Sequence, residues 1–365
     1  MSKVLNVEVP INSLSFGNVA VNILHEFWKK KVDCNIFLIG QQPDFSAFDK
    51  LPDEFKAWVV ESMNKALGRY KTNDPVFKIW HINGAQNKVA NNQFLFTFHE
   101  LDRLTPFERN ILENQTEVFV SSQYTQNIIN SVTLGIKANY IPLGFDSNHF
   151  HVIAKRQIPE NVISLGVLAK FESRKHSARV IELLVNKYGN NPGYVIHAAV
   201  YNPFFSPEQN KQIQMQLSQG DRIWNINFLP FVKTNSEYNS VLNSIDIVLD
   251  VSGAEAWSLP SFQAACIGKH GVLLDCAGAS SWAQESGFEL IDPVGKKPVY
   301  DNVFFQQGTP FNQGEIFEFS NTDLERAIDT SIHKFKKDRV NHIGRKMVAK
   351  YTWENTAEQI LAKIF

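Results

Sequence analysis

The sequence predicts an α/β protein made of two doubly wound, parallel-sheet domains facing a cleft. Three observations lead there. Short β-branched and aromatic runs alternate with segments of helical period from end to end. A chain of 365 residues is long enough for two domains of ordinary size, each with its own core. A charged stretch bracketed by Pro159, residues 149–161, reads as the linker between them.

In the first half, residues 4–9 read as a strand and residues 10–17 as the loop after it. Val19, Ile23, Leu24 and Phe27 keep helical spacing into Lys29, Lys30 and Lys31, charges that suit a helix C-terminus and otherwise face solvent. A strand over 34–39 completes a β-α-β unit. One helix is expected around 55–67. The runs 76–81 and 94–98 read as strands ending at His81 and His99, so both imidazoles should face one cleft. Residues 117–122 form a short strand whose last hydroxyl caps a helix over 123–132.

The second half opens with a strand over 162–168 and a polar stretch carrying Lys170 and Lys175. A strand over 194–200, a helix over 207–217, the segment 226–231 and a helix over 235–244 follow. The apolar run 247–251 then feeds, through a short polar turn, a helix marked by Leu259, Phe262, Ala265 and Cys266. In an open parallel sheet such a turn lies at the carboxyl end, where ligands bind and the helix start offers free N–H groups. Glu255, with Trp257 and Ser258 beside it, is therefore expected to face a ligand. Gln263, about two helical turns beyond, meets only a ligand that reaches along the helix. A strand over 271–276, a small-residue turn over 278–281 and an edge strand over 287–292 come next. Residues 293–313, aromatic and turn-rich, read as an insertion or flap without regular structure, and Tyr351-Thr352-Trp353-Glu354 begins a helix that runs to Phe365.

These segments resemble the retaining nucleotide-sugar glycosyltransferases with two Rossmann-like domains, the GT-B type, family 4-like. Their donor signature runs Ser, a few residues, Glu-Gly-Phe-Gly-Leu-Pro, then a second Glu and Ala. Here it stands as Ser252, Glu255-Ala256-Trp257-Ser258-Leu259-Pro260 and Gln263-Ala264. Ala169-Lys170-Phe171 with Lys175 is similar to the family's Ala-Arg-Phe stretch and its lysine. Pro142-Leu143-Gly144-Phe145-Asp146 is similar to the segment before the hinge, and Tyr351-Thr352-Trp353 to the start of the closing helix.

The resemblance implies an acceptor domain over 1–153, a donor domain over 161–348 and a last helix, 349–365, that returns to the first domain. It also implies roles. Glu255 contacts the donor sugar, Gln263 holds the ribose, and Ala256, Trp257, Ser258 and Leu259 surround them. Pro230 and Phe231 abut the base, and Gly17 brings backbone to the diphosphate. His99 positions the donor sugar or acceptor, with Glu100 and Asp102 as its holders or as acceptor ligands. Lys170 and Lys175 stabilise the charge that develops on a departing nucleoside diphosphate. Gln263 replaces an acid and Lys170 an arginine, so the diol meets a neutral amide and the phosphate loses a bidentate fork.

Expected, then, is transfer of a sugar from a UDP- or GDP-sugar to a glycan, a lipid-linked sugar or another hydroxyl acceptor, with retention. The alternatives are a sugar-nucleotide-binding protein without turnover, an epimerase or a phosphorylase. With no Asp-x-Asp motif, no metal or other cofactor is expected to be required. A formal net charge of −1 demands no polyanionic partner, and a modified nucleic-acid base as acceptor lacks a concentrated basic, aromatic groove. Cys34, Cys266 and Cys276 are scattered and suit a reduced, cytoplasmic chain. Glu8 and Pro10 interrupt any signal peptide, and no run of about 18 apolar residues suggests a membrane span.

Overall fold

The computed structural model describes residues 4–154, 156 and 158–365. The first sheet holds β1 (Leu5–Val9), β2 (Cys34–Leu38), β3 (Val76–Ile79), β4 (Gln93–Thr97), β5 (Glu117–Val120) and β6 (Ala138–Tyr140), ordered β2-β1-β3-β4-β5-β6. The second holds β7 (Ile163–Leu168), β8 (Tyr194–Ala199), β9 (Ile226–Phe228), β10 (Ile247–Asp250), β11 (His270–Leu274) and β12 (Glu289–Ile291), ordered β12-β11-β10-β7-β8-β9. All pairings in both sheets are parallel. Parallel strands need crossovers over the sheet faces, which bury both sides, so the central strands are mostly apolar. Among the buried polar residues, Lys78, inside β3, is neutralised by Glu8 on β1 at 3.0 Å, and Asn35 on β2 donates to Asn6 on β1 at 2.9 Å.

Each sheet has one point where the strand order reverses, between β1 and β3 and between β7 and β10. Loops leaving neighbouring strands there diverge to opposite faces and open a crevice. The expected two-domain, doubly wound architecture is the one observed.

Helix ends follow local chemistry. Ser206 with Gln209 closes a capping box on Pro207–Leu217, and Thr234 with Glu237 does so on Asn235–Ser244. The same device starts Pro106–Glu113, through Thr105 and Glu108, a helix the sequence reading leaves unassigned together with Ser177–Tyr188 and Asn321–Lys337. Residues 293–313 are not wholly irregular. β13 (Gly295–Pro298) pairs antiparallel with β14 (Glu315–Glu318), and the segment between them is a long hairpin loop.

The domains share more than a linker. One apolar cluster runs from β1 and β2 through Phe145 and Phe150 to Leu242, Phe262 and Trp282 of the second domain. The expected linker includes Lys155 and Gln157, which lie outside the described residues. Its remainder is pinned to the second domain by Asn239 Oδ1 and Asn243 Oδ1, which accept from the His151 and Ile153 amides, and by Arg156, which donates to Asp246. The helix Trp353–Ile364, capped by Thr352, lies along the helix Ser15–Lys29 of the first domain. Lys30 Nζ reaches Glu358 at 2.6 Å, and Thr356 Oγ1 donates to the Pro142 carbonyl at 2.7 Å.

At the crossing, a Cβ on Gly144 would overlap the Trp353 backbone nitrogen, so the glycine permits the close approach. Gly144→Ala is expected to lower stability by about 1–3 kcal/mol, as overpacking does. Urea unfolding of the variant beside the parent protein measures it, and an unchanged midpoint would mean that the helix does not depend on this approach.

Candidate active site

β7 and β10 run side by side, Ile247 opposite Leu165, so the chain leaves both at one place. From β7 comes a 3₁₀ turn, Ser173–Lys175, followed by His176 in the left-handed region at φ 54°. A non-glycine residue needs help to stay there, and the His176 imidazole supplies it by bonding the Phe317 carbonyl at 2.9 Å. From β10 comes a turn ending at Ser258, also left-handed at φ 64°. Asp250 ties that turn together. It accepts from the Ser258 hydroxyl, from Ser261 Oγ at 2.6 Å and from the Ser252 amide at 3.1 Å. Burial alone would raise this carboxyl, but Lys175 and the three serines hold it below the usual carboxylate range.

The two turns press Lys175 Nζ onto Glu255 Oε1. Arg174 joins them, with its guanidinium 3.5 Å from Glu255, 2.9 Å from Glu172 and 3.2 Å from Glu100 of the first domain. Lys170 Nζ closes the chain on Glu172 at 2.8 Å. Three cations thus face three carboxylates in one connected, largely buried network. Burial and the neighbouring Arg174 push the Lys175 ammonium down to about 7, against the pull of Glu100, Glu172 and Asp250. Glu172 stays low because Arg174, Lys170 and Lys175 outweigh the burial that would raise it.

Beside the network lies a cavity of about 280 Å³ between the domains, lined by Ser13, Ser15 and Asn18 on one side and by Lys170, Tyr201, Pro230, Phe231, Leu259 and Gln263 on the other. The helix Leu259–Cys266 starts at its wall. The structure therefore brings together Glu255, Lys170 and Lys175, and places Pro230, Phe231, Leu259 and Gln263 on one cavity. Four expectations fall differently. Gly17 is buried against its own loop, where a Cβ would overlap Asn12, and the cavity is lined by its neighbours instead. Ala256 offers its carbonyl to Ser121 Oγ of the first domain at 2.9 Å. Trp257 is turned into a cluster with Phe262, Trp282 and Tyr351. The Ser258 hydroxyl is committed to Asp250.

A second cavity, of about 300 Å³, is walled by the ends of β3 and β4 and by the hairpin loop of residues 299–314. His81 and His99 both line it, as their strand-end positions predict. Burial lowers the His99 imidazole, and desolvation lowers His81, so both are neutral near pH 7. Neither acid expected to hold His99 does so. Its Nε2 bonds the Arg103 carbonyl at 2.9 Å, while Glu100 turns to Arg174. Asp102 accepts from the Glu315 amide at 2.9 Å and pairs with Lys296 at 3.0 Å, which fastens the hairpin. Nothing in the sequence singles out Arg174 beside Lys175, because adjacent side chains on a regular element diverge. Only the 3₁₀ turn lets Arg174 and Lys175 converge.

Among the described residues no helix is long and apolar enough to cross a membrane, and Cys34, Cys266 and Cys276 are free and buried.

Two sheets of this order, opposed across a cleft and tied by a returning C-terminal helix, define the GT-B fold. Solved structures of that fold match along the whole chain. Sucrose-phosphate synthase from Thermosynechococcus elongatus superposes with a TM-score of 0.70 at 13% identity, covering 99% of this chain and 98% of that one. HepE of Anabaena, solved with UDP-glucose, gives 0.67 at 14% identity over 99% of both chains. The trehalose-6-phosphate synthase OtsA gives 0.66 at 12% identity over 100% and 99%. No protein-family model and no curated protein sequence matches.

The titration of Lys175 has a measurable sign. Its folded value, about 7, lies below the ordinary 10.5, so this lysine opposes folding fully below pH 7 and progressively less as pH rises toward 10.5. Between pH 7.5 and 9.5 it should add an upward slope of stability against pH of at most about 1.4 kcal/mol per unit. Chemical unfolding of Lys175→Met across that range should lack this slope, and an identical pH dependence in both proteins would contradict the assignment.

Proposed function

We propose that this protein is a retaining glycosyltransferase that moves a sugar from a UDP-sugar, bound on the second domain, to a hydroxyl of an acceptor bound on the first. The observation that carries the reading is the convergence of Lys170, Arg174, Lys175 and Glu255 at a strand-order reversal, next to a cavity between the domains walled by Tyr201, Phe231 and Gln263. The Tyr201 and Phe231 rings, 6.4 Å apart, offer apolar faces to a base, and the Gln263 amide can both donate to and accept from a ribose diol. No carboxylate lines this cavity among the described residues, which favours uracil over a guanine that presents two N–H donors. The neighbour solved with UDP-glucose points the same way.

The chemistry follows from charge. As the bond to the anomeric carbon lengthens, negative charge collects on the diphosphate, and the Lys170 and Lys175 ammonium groups with the open amides of the helix start at Leu259 are fixed where it collects. Arriving phosphate competes with Glu172 and Glu255 for these cations. Glu255, released from Lys175, is then free to accept from the donor sugar's hydroxyls. Asp250 is saturated by hydroxyl and amide donors and Glu172 by cations, so neither is a free nucleophile. With Glu255 engaged by the donor sugar's hydroxyls, we read retention as front-face attack, in which the leaving phosphate oxygen takes the proton of the acceptor hydroxyl. Binding across the cleft supplies the orientation.

A second reading, a sugar-nucleotide-binding protein without turnover, is favoured by Gln263 in place of an acid and by cations that are already paired. One experiment separates the two. Calorimetric titration with UDP, GDP and ADP, followed by UDP release from UDP-glucose and UDP-galactose over a panel of acceptors, should show preferred binding of UDP and release above the acceptor-free rate. Lys175→Ala should lower kcat by about 10²–10³-fold, the scale set by removing one preorganised charge-stabilising donor. Tight UDP binding with no release across donors and acceptors would establish the second reading, and absence of UDP binding would end both.

A further inference from the structure

The second cavity has a composition of its own. Trp80, His81 and Phe98 line it at the ends of β3 and β4, and Phe16 of the helix Ser15–Lys29 packs against these rings. Phe16 lies 4.2 Å from His81, 4.7 Å from Phe98 and 5.8 Å from Trp80. Across from them, Phe311 and Asn312 come down from the hairpin loop of the second domain. That loop is fastened to the first domain at three points. Thr105 Oγ1 donates to the Pro310 carbonyl at 2.6 Å, the Asn312 amide donates to Glu108 Oε1 at 2.9 Å, and Phe107 meets Phe311 edge-on at 5.1 Å.

The charge of the cavity is decided by what these contacts leave free. Glu108 is its one carboxylate, and both oxygens are taken, one by the Asn312 amide and the other by the Thr105 amide. Among the described residues neither Lys nor Arg lines it, and both histidines are held neutral. Its lining offers the Trp80 indole N–H and the side-chain amides of Asn83 and Asn312 as uncharged hydrogen-bonding groups. Aromatic walls with uncharged donors and acceptors recognise a ligand with apolar C–H faces and neutral hydroxyls. A phosphate or carboxylate placed here would lose its hydration with no Lys or Arg among the lining side chains to replace it.

The cavity touches the donor network through a single step of chain, since His99 lines it and Glu100 pairs with Arg174. Building on the glycosyltransferase reading, we infer that this cavity is the acceptor site, that it takes a neutral sugar ring stacked on Trp80, and that it excludes sugar phosphates. The hairpin loop of the donor domain supplies its outer wall, so acceptor choice is set by both domains.

The test uses the whole protein saturated with UDP. Glucose, galactose, mannose, maltose and lactose are titrated against it beside glucose 6-phosphate, with calorimetry as the readout. At least one neutral sugar should bind at least tenfold more tightly than the phosphate ester. Trp80→Ala should weaken that sugar tenfold or more. Asn83→Arg, at an exposed position, should move the preference at least tenfold toward glucose 6-phosphate, a gain that misfolding could not produce. The proposal is overturned if the phosphate ester binds as well as or better than every neutral sugar, if no sugar binds, or if Trp80→Ala leaves the affinity for the neutral sugar unaltered. Titration with UDP itself keeps the two readings apart. A protein that binds sugar but not UDP retains the pocket and loses the nucleotide-sugar assignment.

Discussion

Glu172, Arg174, Lys175 and Glu255 leave water together, and most other features of the cleft follow from that burial. A buried charge without a partner costs several kcal/mol, so each of these residues constrains the others. Lys175 can be buried only where Glu255 is, and Glu255 only where the turn after β10 holds it. That turn is in turn shaped by Asp250, whose three donors include the hydroxyl of the left-handed Ser258. The resulting arrangement pairs its charges while the site is empty, although Lys175 stays short of full compensation and titrates well below an ordinary lysine. It is also made of groups that an incoming diphosphate and sugar hydroxyls would satisfy in a different pairing.

The same network reaches across the domains. Glu100 draws Arg174 toward the first domain, Ser121 bonds the Ala256 carbonyl, and Asp102 fastens the hairpin of the second domain. On the linker side apolar packing through Phe145 and Phe150 joins the hydrogen bonds that hold His151, Ile153 and Arg156 to the second domain. Polar contacts at the mouth and these contacts at the hinge divide the work. The former can be exchanged for ligand contacts at small net free energy, while the latter keep the two sheets facing each other. The hairpin loop between β13 and β14 adds a wall that neither sheet provides.

Much of this was legible in the sequence because parallel α/β folds announce themselves. Apolar runs such as 247–251 must be buried on both faces, and the polar residues that follow them must then lie at one edge of the sheet. Beside Lys175, which the family resemblance adds, that logic points His81, His99 and Glu255 toward the cleft. It failed where side-chain direction depends on a special dihedral. The left-handed Ser258 turns Trp257 inward to the core, although its neighbour Glu255 remains at the site. Arg174 became visible only once the 3₁₀ turn was seen, and Asp102 was read as a ligand for His99 when its partners lie more than 190 residues away in the chain. The helix Pro106–Glu113 did carry a readable signal, Thr105-Pro106 with Glu108, and the hairpin carried none beyond its aromatic content.

The central physical claim is that the cations gathered between β7 and β10 are held for a diphosphate. A crystal structure of the protein with UDP tests it most directly. The claim requires the diphosphate to lie between Lys170 and Lys175, with Lys175 drawn off Glu255, the base against Phe231 and the ribose on Gln263. A UDP molecule bound elsewhere, or one in this cavity with the Lys175–Glu255 pair still closed and no cation on its phosphates, would contradict it.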